Sequence, residues 1–339
     1  MKRVVVVCPG RGSYTRELLG NLKASSGSPS VLAANAFRRA LGRPTPSELD
    51  DTSTYVSVKH VAGENASILT ATCSLADHDA LRAADKVEVV GAIGNSMGWY
   101  TALAVAGALP LADGLRLVET MGQYQMGNVI GGQLVYPLCD ADWACLPSPE
   151  LDALIHSVPD LHVSIRLGRQ IVLGGTEAAI RTAIQALPVR RAGDHDAPFQ
   201  LPLHSAFHTP LMAGTSERAS VDLADLAFSA PTVPMVDGRG ALWFPRHADP
   251  TAIANYTLGA QVVAPYDFGL SVRTALRELA PDALVLLGPG GNLGGAVAQA
   301  MLDEGWAGLH TKADFLARQA SNPIVWSLAR PEQRALALG

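Results

Sequence analysis

With 339 residues, 48% of them hydrophobic and 17% charged, the chain has the apolar content of one large domain, or of a large domain with an insert, and not of a disordered polymer. The formal net charge is -5, and arginines pair up only at Arg38-Arg39 and Arg190-Arg191, which excludes a basic stripe for nucleic acid. The four cysteines, Cys8, Cys73, Cys139 and Cys145, form no C-x-x-C pair and sit in no zinc spacing, so no metal site and reduced, mostly buried thiols are expected.

A near-continuous β-branched run at 3–8 predicts a strand buried on both faces, as in a parallel sheet. It stops at Pro9-Gly10, too short for a secretory signal. The longest apolar stretch, 102–109, is stopped by Pro110, far short of the ~20 residues a membrane span needs. A cytoplasmic protein without membrane contact is the expectation. After the loop Pro9-Gly10-Arg11-Gly12-Ser13, helices are predicted at 14–23 and 31–41, a polar connection at 43–54, more helix at 66–84 and a second buried strand at 87–93. That strand turns through Gly94-Asn95-Ser96-Met97-Gly98 into helices at 99–107 and 112–127.

From 133 to 203 the pattern changes. Strand 133–139, helix 148–157, strands 161–167 and 170–173, helix 177–187 and strand 199–203 spell β-α-β-β-α-β, the order of a ferredoxin-like module. The large sheet resumes at 232–236 and 283–287, and the last 25 residues give no clear pattern. The fold class is therefore α/β: a parallel-sheet, hydrolase-like large domain, 1–130 and 204–339, with an inserted ferredoxin-like subdomain at 131–203.

Gly94 to Gly98 fits G-x-S-x-G, the pattern of a nucleophile elbow. Glycines two residues either side of Ser96 allow a strained strand-to-helix turn, and the helix N-terminus offers free N–H groups to an oxyanion. A serine needs a base, and nine histidines are available. His60, His78, His156, His162 and His247 carry no motif, and Asp194-His195-Asp196 is only a faint metal pattern. His204 and His208, just past a predicted strand end, are better placed, and spacing alone leaves the choice open.

Six stretches in order then resemble the malonyl-CoA:acyl carrier protein transacylase family. Pro9-Gly10-Arg11-Gly12-Ser13 is similar to its P-G-Q-G-S loop, and Gly94 to Tyr100 to its G-H-S-L-G-E-Y. Residues 101–118 follow the same helix-turn-helix. Phe207-His208-Thr209-Pro210-Leu211-Met212 resembles F-H-S-P-L-M, Gln261-Val262-Val263-Ala264-Pro265 resembles Q-L-T-S-P, and Gly288-Pro289-Gly290 the late G-P-G. The resemblance covers about residues 9–293. It implies Ser96 as nucleophile, His208 as acid and base, and the backbone N–H groups of Arg11 and Met97 as oxyanion hole. It places Gln261 where a backbone carbonyl orients the histidine. No bound cofactor or metal is implied. The substrate is a phosphopantetheine thioester, from acyl-CoA or an acyl carrier protein, and the carrier protein is the partner. Family members are often monomeric, which carries over as an expectation.

The departures concern the acyl group. Members that load malonyl place an arginine before a glycine on the helix after the elbow; here that residue is Met121, before Gly122. A thioether cannot pair a carboxylate, and stranding that charge would cost about 2–5 kcal/mol. Asn95 and Trp99 replace the usual histidine and glutamate of the elbow, Arg11 and Tyr14 replace glutamines, and Phe207 is kept. Met121, Asn95, Trp99, Phe207 and Arg11 are thus expected to line an altered pocket. A non-carboxylated acyl or starter unit follows. The alternatives are a malonyl transacylase with Arg11 reaching in from its loop, a hydrolase that edits acyl carrier proteins, and a non-catalytic subunit that binds carriers. Carrier contacts would fall on Arg166, Arg169, Arg190 or Arg191. Rival readings are a Ser96, Asp282 and His310 triad, a Ser96 and Asp237 pair, and a dinucleotide loop at Gly10 or Gly288.

Overall fold

The computed structural model describes residues 1–192 and 195–339. Its main sheet has six strands. From edge to edge they are Leu242–Trp243, Met235–Val236, Val87–Gly94, Lys2–Cys8, Ala283–Leu286 and Val325–Ser327. All neighbours are parallel except the first pair. Val4 to Cys8 are fully buried, because helices cover both faces of the central strand. The 22-residue helix Gly63–Ala84 packs on one side, against Pro29–Ala40 and Leu111–Gln123, and Phe268–Leu279 packs against Gly294–Glu304.

The second sheet has five strands, in the order Tyr266–Asp267, Leu161–Leu167, Gln170–Gly175, Gly132–Pro137 and Phe199–Gln200. The last four are antiparallel neighbours, and with the helices Pro149–Ser157 and Glu177–Ala186 they complete β-α-β-β-α-β. This is the ferredoxin-like order read from the sequence. Tyr266–Asp267 comes from the large unit and extends this sheet in parallel with Leu161–Leu167, so the two units share a strand pairing.

Several local readings change. Residues 14–23 form no α-helix, only the 3₁₀ turns Arg16–Leu18 and, just beyond, Lys23–Ser25, because the buried Asp50 captures both the Tyr14 hydroxyl at 2.5 Å and the Leu22 N–H at 2.9 Å. The polar connection at 43–54 contains a short helix, Pro46–Asp50, started by a capping box between Thr45 and Glu48. The strand expected at 199–203 ends at Gln200, since Pro202 follows and Leu203 takes φ = 56°. The unplaced C-terminus supplies the sixth strand and the helices Lys312–Ser321 and Pro331–Leu338. Of the faint metal pattern at 194–196, Asp194 lies outside the described residues, and among those described no group of three metal-ligating side chains occurs. No described helix is long and apolar enough to cross a membrane.

Candidate active site

Lys2–Cys8 and Val87–Gly94 lie side by side, so the loops at their C-terminal ends meet, where open α/β sheets hold ligands. The elbow depends on its glycines. A Cβ on Gly94 would lie 2.2 Å from the Gly98 carbonyl, and one on Gly98 would lie 2.1 Å from Cys8 O. With both bare, Ser96 is held at φ = 54°, a strained conformation for a residue with a side chain.

The base comes from the other side. Pro210 starts a 3₁₀ turn, Pro210–Met212, which leaves Thr209 extended and His208 at φ = 62°. The His208 N–H donates to Val262 O at 2.8 Å. Its Nε2 lies 2.7 Å from Ser96 Oγ, and its Nδ1 lies 2.6 Å from the Gln261 carbonyl oxygen. A carbonyl can only accept, so Nδ1 carries the proton and Nε2 is left to take one from Ser96. Burial pushes the His208 pKa down to about 4, against the opposing pull of the Gln261 carbonyl. The ring is neutral at pH 7, as a base must be.

Gln261 also braces the elbow. Its Nε2 donates to Ser96 O at 3.0 Å, and the Tyr100 hydroxyl donates to its Oε1 at 2.7 Å. The Tyr266 hydroxyl donates to Gly94 O at 2.6 Å while its ring lies 5.4 Å from that of His208. Gln133 donates to Ser164 Oγ at 2.7 Å, which donates to Phe207 O at 2.8 Å and fixes the residue before His208 to the second sheet. Tyr100, Tyr266, Gln133 and Ser164 were not read from the sequence as site residues. Tyr100 stood inside a recognised motif with no role, and Tyr266 directly follows one. Nothing in sequence spacing joins Gln133 and Ser164 to residue 207.

A cavity of ≈ 220 Å³ opens beside Ser96. Arg11, Asn95, Met97, Met121, Phe207, His208 and Gln261 all line it. Among the described residues, no acceptor of the chain takes the backbone N–H of Arg11 or Met97, the pair expected to form the oxyanion hole. Val135, Ile165, Val172 and Leu201 make the far wall apolar, together with buried Met121.

Trp99 corrects the sequence reading. It is fully buried and lies away from the cavity, its Nε1 donating to Thr257 Oγ1 at 3.0 Å and its ring edge-on to Tyr256 at 5.3 Å. One helical step past the elbow turns it into the core instead of the pocket. Tyr14 is likewise turned away, to Asp50. Arg116 is tied to Asp225 at 2.7 and 2.8 Å on the outer surface and cannot replace the missing arginine.

Arg11 is the cation that does reach the cavity. Its Nη2 donates to Leu203 O at 2.8 Å and its Nε to His204 Nε2 at 3.3 Å. Its head lies over Gly63, where a Cβ would come within 2.7 Å of Nη1. Nη1 is buried and has no partner, as are Gln125 Oε1 and Asn95 Oδ1 on the same cavity. Burial lowers the Arg11 pKa to about 10, and burial together with Arg11 lowers that of His204 to about 3. His204 is thus a neutral support for Arg11, and among the described hydrogen bonds none joins it to Ser96.

The rival constellations do not assemble. Asp282 caps the start of its strand by accepting from Arg3 N, and His310 is exposed beside a helix start. Asp237 is buried under Arg239 and Trp243. The Gly288 loop is pinned by Asp77, with Asn292 and Leu293 reaching the cavity. Of the arginines considered for carrier contact, Arg169, Arg190 and Arg191 are engaged with Asp303, Ser148 and Asp196.

A malonyl CoA-acyl carrier protein transacylase of Salmonella typhimurium is 31% identical over 148 residues, 42% of this chain and 46% of that protein. The match therefore spans about half the length of this curated relative. Over the whole chain the likeness is structural. An acyl-carrier-protein S-malonyltransferase from Burkholderia pseudomallei superposes with a TM-score of 0.75 over 99% of both chains at 23% identity. The acyltransferase domain from the second module of the salinomycin polyketide synthase superposes at 0.72, covering 100% of this chain and 72% of that one, at 20% identity. Over the matched 148 residues the chain is similar to a malonyl CoA-acyl carrier protein transacylase, and over its whole length it shares the fold of such proteins. No protein-family model matches it. The fold class, a hydrolase-like α/β unit carrying a ferredoxin-like one, is that of these neighbours.

Proposed function

We propose that the chain is an acyltransferase that moves an acyl group from a phosphopantetheine thioester onto Ser96 and then to the thiol of an acyl carrier protein. The observation that carries this is the linear relay from Ser96 Oγ through His208 to the Gln261 carbonyl, at the mouth of an apolar cavity. His208 Nε2 takes the serine proton as Oγ attacks the thioester carbon. The oxyanion lies toward the Arg11 and Met97 N–H groups, and imidazolium returns the proton to the departing thiolate. The incoming carrier thiol then repeats the steps in reverse, with His208 as base. A backbone carbonyl in place of an aspartate is enough to fix the imidazole tautomer.

The acyl group on this reading is non-carboxylated, an acetyl or longer starter unit, because Met121 and the Val135, Ile165 and Val172 wall offer it only apolar contact. One observation favours a carboxylated group instead: Arg11 Nη1, unpartnered on the same cavity. Intact mass after brief exposure to acetyl-, butyryl- and malonyl-CoA separates the two. Neutral acyl adducts that survive Arg11→Gln support the first reading. A malonyl adduct that Arg11→Gln abolishes replaces it with the second.

A further inference from the structure

The strand Gly132–Pro137 leaves the second sheet and folds straight back on itself through Cys139-Asp140-Ala141-Asp142-Trp143-Ala144-Cys145. Asp140 shapes this turn, its Oδ1 accepting from Asp142 N at 2.9 Å and Ala144 N at 2.8 Å. Cys139 and Cys145 face each other as an isolated antiparallel pair. The flanking bonds are Leu146 N to Leu138 O at 2.8 Å and Asp140 N to Ala144 O at 3.0 Å. They lie on either side of the cysteines, which makes 139 and 145 a non-hydrogen-bonded pair. In such pairs Cα atoms approach to about 4.5 Å with both side chains on one face, within the ~4.4–6.8 Å that a disulfide spans.

We propose that Cys139 and Cys145 are an intramolecular disulfide site, oxidised by small-molecule disulfides. Cys145 is exposed and Cys139 is buried, so attack and resolution fall to different residues. The Cys145 thiolate attacks one sulfur of a disulfide RSSR, forming a mixed disulfide and releasing one thiolate. The Cys139 thiolate then attacks the Cys145 sulfur and expels the second. Two S–H bonds are lost, one S–S bond forms, and RSSR is reduced to two RSH. Burial raises the Cys139 pKa, and the Arg169 and Lys312 cations work against that. Cys8 and Cys73, both buried and raised by desolvation, stand in no such pair.

The site lies where the ferredoxin-like unit is fastened to the large one. Lys312 Nζ donates to Ala141 O at 2.7 Å, and Arg169 bridges Trp143 O and Asp303. The Trp143 ring lies 5.9 Å from Phe315. Gln299 Nε2 donates to Cys139 Sγ at 3.8 Å while its Oε1 accepts from Arg169 N at 2.8 Å. Closing the ring from 139 to 145 fixes the hairpin that makes these contacts between the two units.

Incubation of the full chain with oxidised glutathione, followed by denaturing alkylation and peptide mass mapping, tests this. The expected product is a 139–145 crosslink, two hydrogens lighter and free of alkylating agent, reversed by dithiothreitol. In Cys139→Ser, Cys145 should instead keep glutathione as a stable mixed disulfide. Wild-type protein in which both residues remain alkylatable, retain glutathione, or pair with another chain overturns the proposal.

Discussion

The two ends of the cavity are built differently. At the Ser96 end the backbone sets the geometry, with two glycines that admit close carbonyls, two residues held at positive φ, a carbonyl that orients a ring and two free N–H groups. The Gln261, Tyr100 and Tyr266 side chains brace it by bonding to it and to one another. At the Met121 end the constraints are side chains brought from four separate stretches of the chain, Arg11, Met121 with Gln125, Val135 and Phe207. Backbone constraints need particular residues at fixed spacing, whereas side-chain walls can be exchanged one by one. The chemistry is therefore legible where the choice of acyl group is not.

The sharpest way to break this contrast is to remove the base. His208→Ala should lower turnover with any acyl-CoA by roughly 10³-fold or more, measured by release of CoA, with little change in which acyl group is preferred. A variant that kept its rate would shift the chemistry away from the backbone-built end. Next comes Gln261→Ala, which keeps the carbonyl facing His208 and deletes the brace to Ser96 O and Tyr100. A loss of about 10- to 100-fold in kcat is expected, with KM nearly unchanged. If the loss fell on KM instead, Gln261 would belong with the pocket wall.

Acidification separates the ends in another way. His208 and His204 both have pKa values depressed below that of the unfolded chain, so between about 4 and 6.5 the unfolded state binds more protons. Their contribution to stability is complete above the unfolded pKa and is lost as pH falls. The denaturation midpoint should drop as pH goes from 6.5 toward 4, while the acylation rate stays flat until pH nears 4. The smallest expected effect is at Trp99. Trp99→Phe removes the bond to Thr257 and should cost about 1 kcal/mol in denaturant unfolding without changing the acyl preference. A changed preference would return Trp99 to the pocket.

The same division explains how much could be read from the sequence. The β-α-β-β-α-β insert followed from alternating strand and helix patterns, and the elbow from glycines whose spacing is a local steric demand. Trp99 misled because sequence gives a helical position but not which neighbour waits there; the space beside Thr257 and Tyr256 is made by residues over 150 positions away. The helix expected at 14–23 failed for a related reason, since distant Asp50 takes the Tyr14 hydroxyl and the Leu22 N–H. The Arg11 head group was uncertain because its support, Leu203 O and His204, comes from the far side of the insert.

The central claim is a covalent acyl-enzyme on Ser96 that a thiol can relieve. Brief incubation with an acyl-CoA, peptide mapping, and a chase with a phosphopantetheinylated carrier protein test it directly. The account predicts one acyl group on the peptide containing Ser96, none in Ser96→Ala, and its transfer to the carrier thiol during the chase. An acyl group found elsewhere, or an adduct persisting in Ser96→Ala, would contradict it.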